Sequence, residues 1–184
     1  MEGVNRADKL ERFIRTFSEN KEGDVPCIFI SYQRNDEEYA KEIANYIKDH
    51  QIDVFLDLDD IDLQKNRDPK SVTHSITSAL NKSNYMLVIV SSSTYDSPWV
   101  PFEIGYAYDN MRDKMKILRH KNLSKFRLPE YLKTKEILNG TQSLNQFLRS
   151  VRRSRQFLYE SAQLNESVKT FSSNNPLDKY LDNE

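Results

Sequence analysis

Apolar positions along this chain fall into two alternating patterns. Residues 27–30, 54–56 and 85–90 are short, nearly unbroken apolar runs, and 116–118 and 135–138 are weaker ones. Continuous runs this short read as strands buried on both faces, the kind found in parallel sheets. Between them apolar residues recur at helical spacing: Ala40, Ile43, Ala44 and Ile47, then Val72, Ile76, Ala79 and Leu80, and finally Leu144, Phe147, Leu148 and Val151. Asn35 or Asp36 is placed to cap the first of these helices, and Thr141 or Ser143 the last. A further helix opens near Trp99 and runs to about Met111. Strands alternating with helices predict an α/β, flavodoxin-like, three-layer fold. It has a five-stranded parallel sheet of order 2-1-3-4-5 and a switch point between strands one and three.

The pattern continues outside this unit. Leu10, Phe13, Ile14 and Phe17 form a stripe over 5–19, with Asn5 and Asp8 as an N-cap pair. Leu158, Leu164, Val168 and Phe171 continue a less regular helix past Arg155, and 172–184, opening on Ser-Ser-Asn-Asn-Pro, reads as a loose tail. The expected organisation is an N-terminal helical extension over 1–22, a main domain over 23–155, and a C-terminal helical extension and tail over 156–184.

Composition narrows the function classes. With 27 Lys and Arg against 28 Asp and Glu, bulk charge points to neither nucleic acid nor a membrane surface. Cys27 is the single cysteine, so no intrachain disulfide forms. The N-terminus shows no apolar signal-peptide core, and the expected location is the cytoplasm. His50, His74 and His120 lack metal-ligand spacing. The acidic run from Asp57 to Asp62 fails the EF-hand pattern, because Ile61 takes a ligand position and the required glycine is missing. With four glycines there is no phosphate-binding Gly-rich motif. Neither a metal nor a bound cofactor is expected.

The chemistry concentrates in Ser97-Pro98-Trp99-Val100-Pro101-Phe102-Glu103-Ile104-Gly105-Tyr106-Ala107. It puts Glu103 near a helix start at the sheet edge where open α/β folds bind small ligands. A lone carboxylate beside a tryptophan suits a cationic transition state such as sugar–base cleavage. A helix-dipole role in the first turn, behind a Ser97-Pro98 cap, accounts for the same residue. Trp99 either stacks on a ligand ring or anchors the helix. Ser31 and Tyr32 end the first strand facing the segment that follows Ser91, and Ser92 joins them as a substrate-binding candidate. Arg34 offers a guanidinium to phosphate oxygens or is a solvated loop residue. Asp57 touches the ligand or belongs to a solvated acidic loop. Arg149, Arg152, Arg153 and Arg155 make a basic face, either solvated or docking an acidic partner.

Ile28-Phe29-Ile30-Ser31-Tyr32 resembles the first box of the Toll/interleukin-1 receptor (TIR) domain, and Asp53-Val54-Phe55-Leu56-Asp57 its second strand and the start of its long loop. Ser97-x-Trp99-x-x-x-Glu103 resembles the segment carrying the catalytic glutamate of TIR enzymes, with Val100 where many relatives have Cys and Pro101 as an extra residue. The resemblance runs from about Asp24 to Val151. It implies cleavage of NAD+, as substrate, at the nicotinamide–ribose bond with Glu103 catalytic. It also implies self-assembly through the loop 57–69. A stand-alone chain of this size resembles the TIR subunit of the Thoeris antiphage system, in which a nucleotide signal activates a separate effector protein. Two other readings compete: a nucleoside deoxyribosyltransferase, which shares a Glu-Ile-Gly-Tyr-Ala-like run, and a non-catalytic TIR adaptor. A response-regulator receiver is disfavoured because Ser91 stands where its phosphoacceptor Asp would be.

Overall fold

The computed structural model describes residues 2–8, 25–56, 68–124, 127–156 and 175–184. Five strands, β1 (Cys27–Ser31), β2 (Asp53–Phe55), β3 (Tyr85–Val90), β4 (Met115–Arg119) and β5 (Glu136–Leu138), form one sheet of order β2-β1-β3-β4-β5. Every pairing is parallel, and Ser31 lies opposite Val88 in the central pair. The expected order holds. Tyr85–Val90 occupies the centre, as its unbroken apolar run requires.

Helix α1 (Glu37–Asp49) follows β1, α2 (Pro69–Asn81) precedes β3, α3 (Trp99–Met111) follows β3, the short α4 (Glu130–Lys133) precedes β5, and α5 (Thr141–Gln156) closes the domain. Strand alternation sorts the core. Ile28 and Ile30 face α1 and α5, with Ile43, Ile47, Leu144 and Leu148. Phe29 faces α2 and α3, with Leu80, Val100 and Ile104. Asp68 caps α2 by accepting from the Lys70 and Ser71 amides, with Pro69 at the first helical position.

Both terminal segments pack onto the domain. Residues 5–8 form turns, and the rest of the stripe expected over 5–19 lies outside the described residues. Asn5 bridges Val54, so the segment extends the sheet beyond β2, and the Asn5 amide exchanges two 3.0 Å hydrogen bonds with the Leu56 backbone. Asp53, fully buried, holds the same segment through the Val4 amide and the Arg6 guanidinium. Gly3 is required here, since a Cβ would stand 2.0 Å from the Ile52 carbonyl oxygen.

Residues 175–184 are a packed strap where a loose tail was expected. Leu177 and Leu181 enter the α1/α5 core, and the Asp182 and Glu184 carbonyls accept from the Thr141 and Gln142 amides at the start of α5. Tyr180 stacks on Tyr39 at 4.4 Å, and Asp182 pairs with Arg119. Leu177 and Leu181 lie one helical turn apart, and that short apolar pair outweighs the polar run preceding it. The helix expected over 157–171 lies outside the described residues.

Candidate active site

Chain direction builds the site. At their C-terminal ends β1 and β3 part, β1 leading to α1 on one face and β3 to α3 on the other. A crevice opens where neighbouring parallel strands send their chains to opposite faces. Ser31 is the last residue of β1, and alternation turns it toward the α3 side. Its hydroxyl donates to Glu103 Oε2 at 2.5 Å.

Glu103 is the fifth residue of α3 and only 9 % exposed. The helix has no acidic residue in its first turn, so the dipole reading of Glu103 loses its geometric basis. Pro98, not Ser97, stands at the N-cap, and the Ser97 hydroxyl before it accepts from the Val100 amide at 3.1 Å. Val100 and Ile104 anchor α3 in the core on either side of the carboxylate. A carboxylate this buried needs hydrogen-bonding partners, and one that keeps them is oriented before any ligand arrives.

Tyr32 points to the opposite face, packing against the α1/α5 core, as the two-residue period demands. Arg34 is exposed at the start of the 3-10 turn Arg34–Asp36. Ser92 is exposed in the 3-10 turn Ser92–Asp96. Trp99 is half-buried at the mouth of α3, its ring edge-to-face with Phe102 at 6.0 Å. Asp57 and the loop 57–67 lie outside the described residues. No group of three metal-binding side chains occurs among the described residues.

Asp36 and Ser91, legible in sequence only as a helix cap and a strand end, meet each other here. The Ser91 hydroxyl donates to Asp36 Oδ2 at 2.6 Å and accepts from the Ser93 amide at 3.0 Å. The Thr94 hydroxyl accepts from the Ser91 amide, completing a capping box. The signal was present as Ser91-x-x-Thr94 directly after the apolar run. Behind Asp36, the buried Tyr39 phenol has no hydrogen-bond partner, and burial, then the Asp36 charge, push its pKa far up.

The protein-family model for the TIR domain matches residues 28–153, more than half of the chain. This chain belongs to the TIR-domain family. A probable 2′ cyclic ADP-D-ribose synthase TcpO from Methanobrevibacter olleyae is 28 % identical over 92 residues, covering 50 % of this chain and 26 % of that protein. The chain thus spans about a quarter of that relative's length. No described helix of this TIR chain is long and apolar enough to cross a membrane.

Proposed function

We propose that this chain is a TIR enzyme that breaks the nicotinamide–ribose bond of NAD+, with Glu103 as the catalytic carboxylate. The observation that carries the proposal is the buried Ser31–Glu103 pair at the crevice between the C-terminal ends of β1 and β3. Nicotinamide leaves a cationic precursor as a neutral ring, so departure needs no general acid. The ribose it leaves becomes oxocarbenium-like, as in glycoside hydrolysis. An anionic oxygen held still by the Ser31 hydroxyl stabilises that developing charge without reorganising. Trp99 at the start of α3 is the candidate ring platform, and the Arg34 guanidinium the candidate pyrophosphate contact.

The relative named as a cyclic ADP-ribose synthase supports an NAD+-derived nucleotide product, formed when an intramolecular nucleophile captures the ribosyl cation. On the resemblance to the Thoeris TIR subunit, that product would act as a diffusible signal for a separate effector in antiphage defence. Assembly through the loop 57–69 belongs to the same proposal.

The test is nicotinamide release from NAD+ by concentrated purified protein, with products identified by mass. Glu103→Gln is nearly isosteric and is expected to lower the rate by about 10²–10³-fold. Equal activity in the variant, or base exchange on deoxynucleosides with NAD+ untouched, overturns the proposal.

A further inference from the structure

Asp36 stands at the N-cap of α1, where an aspartate ordinarily accepts from the amides of the first turn, yet it makes no capping hydrogen bond. Its carboxylate spans the crevice to Ser91 instead, at 2.6 Å. The Ser91 hydroxyl has one proton, and it is spent on Asp36, while its oxygen takes the Ser93 amide. The Ser91 amide is also fixed, by Thr94. The bond therefore joins two rigid turns rather than two loose loops. One turn follows Ser31 and leads into α1, and the other follows β3 and leads into α3, which carries Glu103. Ser31 and Glu103 meet across the same gap.

We infer that Asp36 and Ser91 form a clamp that sets the width of the crevice and thereby holds Glu103 and Ser31 in register for the reaction. They are positioning residues, acting through Glu103 and not on substrate. The clamp is braced from behind: Tyr39, three residues on from Asp36, stacks on the Tyr180 ring of the C-terminal strap and meets His120 edge-on. A hydrogen bond to an ionised acceptor in a partly buried site is the strong kind, and sub-ångström drift at a reacting centre is costly in rate.

The inference rests on the NAD+-cleavage reading for its rate measurement, but not for its structural one. Trp99 is the single tryptophan, and it opens the helix that the clamp positions. Its emission and its quenching by acrylamide report on the crevice with no substrate present. Ser91→Ala, Asp36→Ala and the double variant are each expected to raise Trp99 quenching. They should lower kcat about tenfold with KM changed less than threefold, the double variant being no worse than either single one. Asp36→Asn keeps an acceptor oxygen and is expected to recover most of the rate. Val151→Ala, a buried truncation on α5 away from the crevice, supplies the comparison for stability loss alone and should leave kcat and quenching unchanged.

Quenching unchanged in the clamp variants overturns the inference. So do additive effects, a kcat loss matched by Val151→Ala, a kcat no lower than in the unsubstituted protein, and an Asp36→Asn as impaired as Asp36→Ala. If the unsubstituted protein releases no nicotinamide, the functional proposal falls, and Trp99 quenching alone decides the clamp.

Discussion

The two ends of the sheet differ in kind. At the C-terminal ends of the strands, Glu103 is buried against Ser31 and Asp36 is spent on Ser91. At the opposite end, α2 and α3 border a groove of ≈ 240 Å³, lined by Leu80, Asn81, Asn84, Tyr106, Asn110 and Lys114. Its polar groups have partners within the protein. Asn81 and Tyr106 hydrogen-bond at 3.0 Å, and the Asn84 side chain is committed to the Cys27 amide. A gap between helices, rimmed by satisfied amides, is what imperfect helix packing leaves behind. A buried carboxylate aimed into a switch-point crevice has a desolvation cost that packing does not explain, and cost without structural return is the better mark of chemistry.

The sharpest break is Glu103→Gln, which should lower nicotinamide release by about 10²–10³-fold. Should that variant keep full activity while a groove substitution abolishes it, the two ends exchange roles. Ser31→Ala comes next. It removes the donor that fixes Glu103, so nicotinamide release should fall about tenfold, with the folded state destabilised by about 1–3 kcal/mol because the carboxylate loses a buried partner. Urea unfolding of the same preparation separates the two effects. At the other end, Lys114→Ala is expected to leave turnover within about twofold and stability within about 0.5 kcal/mol, as an exposed surface change should.

What could be read from the chain follows the range of the interactions concerned. Tyr85–Val90 and the stripe Ala40, Ile43, Ala44 and Ile47 announce themselves within a dozen residues, so the layers and strand order were accessible. Ser31 and Glu103 were accessible because each sits at a fixed offset from such an element. Asn5 on Leu56 and Leu177 in the core were not. Their partners lie far off in sequence, and neither residue belongs to a periodic stripe. The clamp was half visible. Asp36 read as a helix cap and Ser91 as a strand end, each correct in place, but a local reading gives an N-cap aspartate its own helix to satisfy, and here it reaches across to another loop. A local reading likewise points to Ser92, which the turn leaves exposed.

The smallest expected effect divides the two ends by pH. His120 follows β4 at the crevice end, against Tyr39, and His50 ends α1 at the opposite end, its Nδ1 2.7 Å from the Tyr46 carbonyl oxygen. Burial holds both imidazoles below their ordinary pKa of 6.5, with the Arg152 and Arg149 charges adding to it at His50 and Lys121 and Arg119 at His120. A histidine whose folded pKa is depressed favours its neutral form in the native state. Between the folded value and 6.5 the unfolded chain therefore binds more protons, and stability rises with pH across that window. The contribution is complete above 6.5 and is lost as pH falls through the folded values. Melting temperature should be level above neutrality and begin to drop below 6.5, before carboxylates titrate. His50→Gln and His120→Gln should each remove part of that slope, and the double variant most of it. If His120→Gln alone removes it, acid sensitivity belongs to the crevice end. If His50→Gln alone does, it belongs to the far end of α1, and nicotinamide release should then be indifferent to the same pH range at temperatures well below melting.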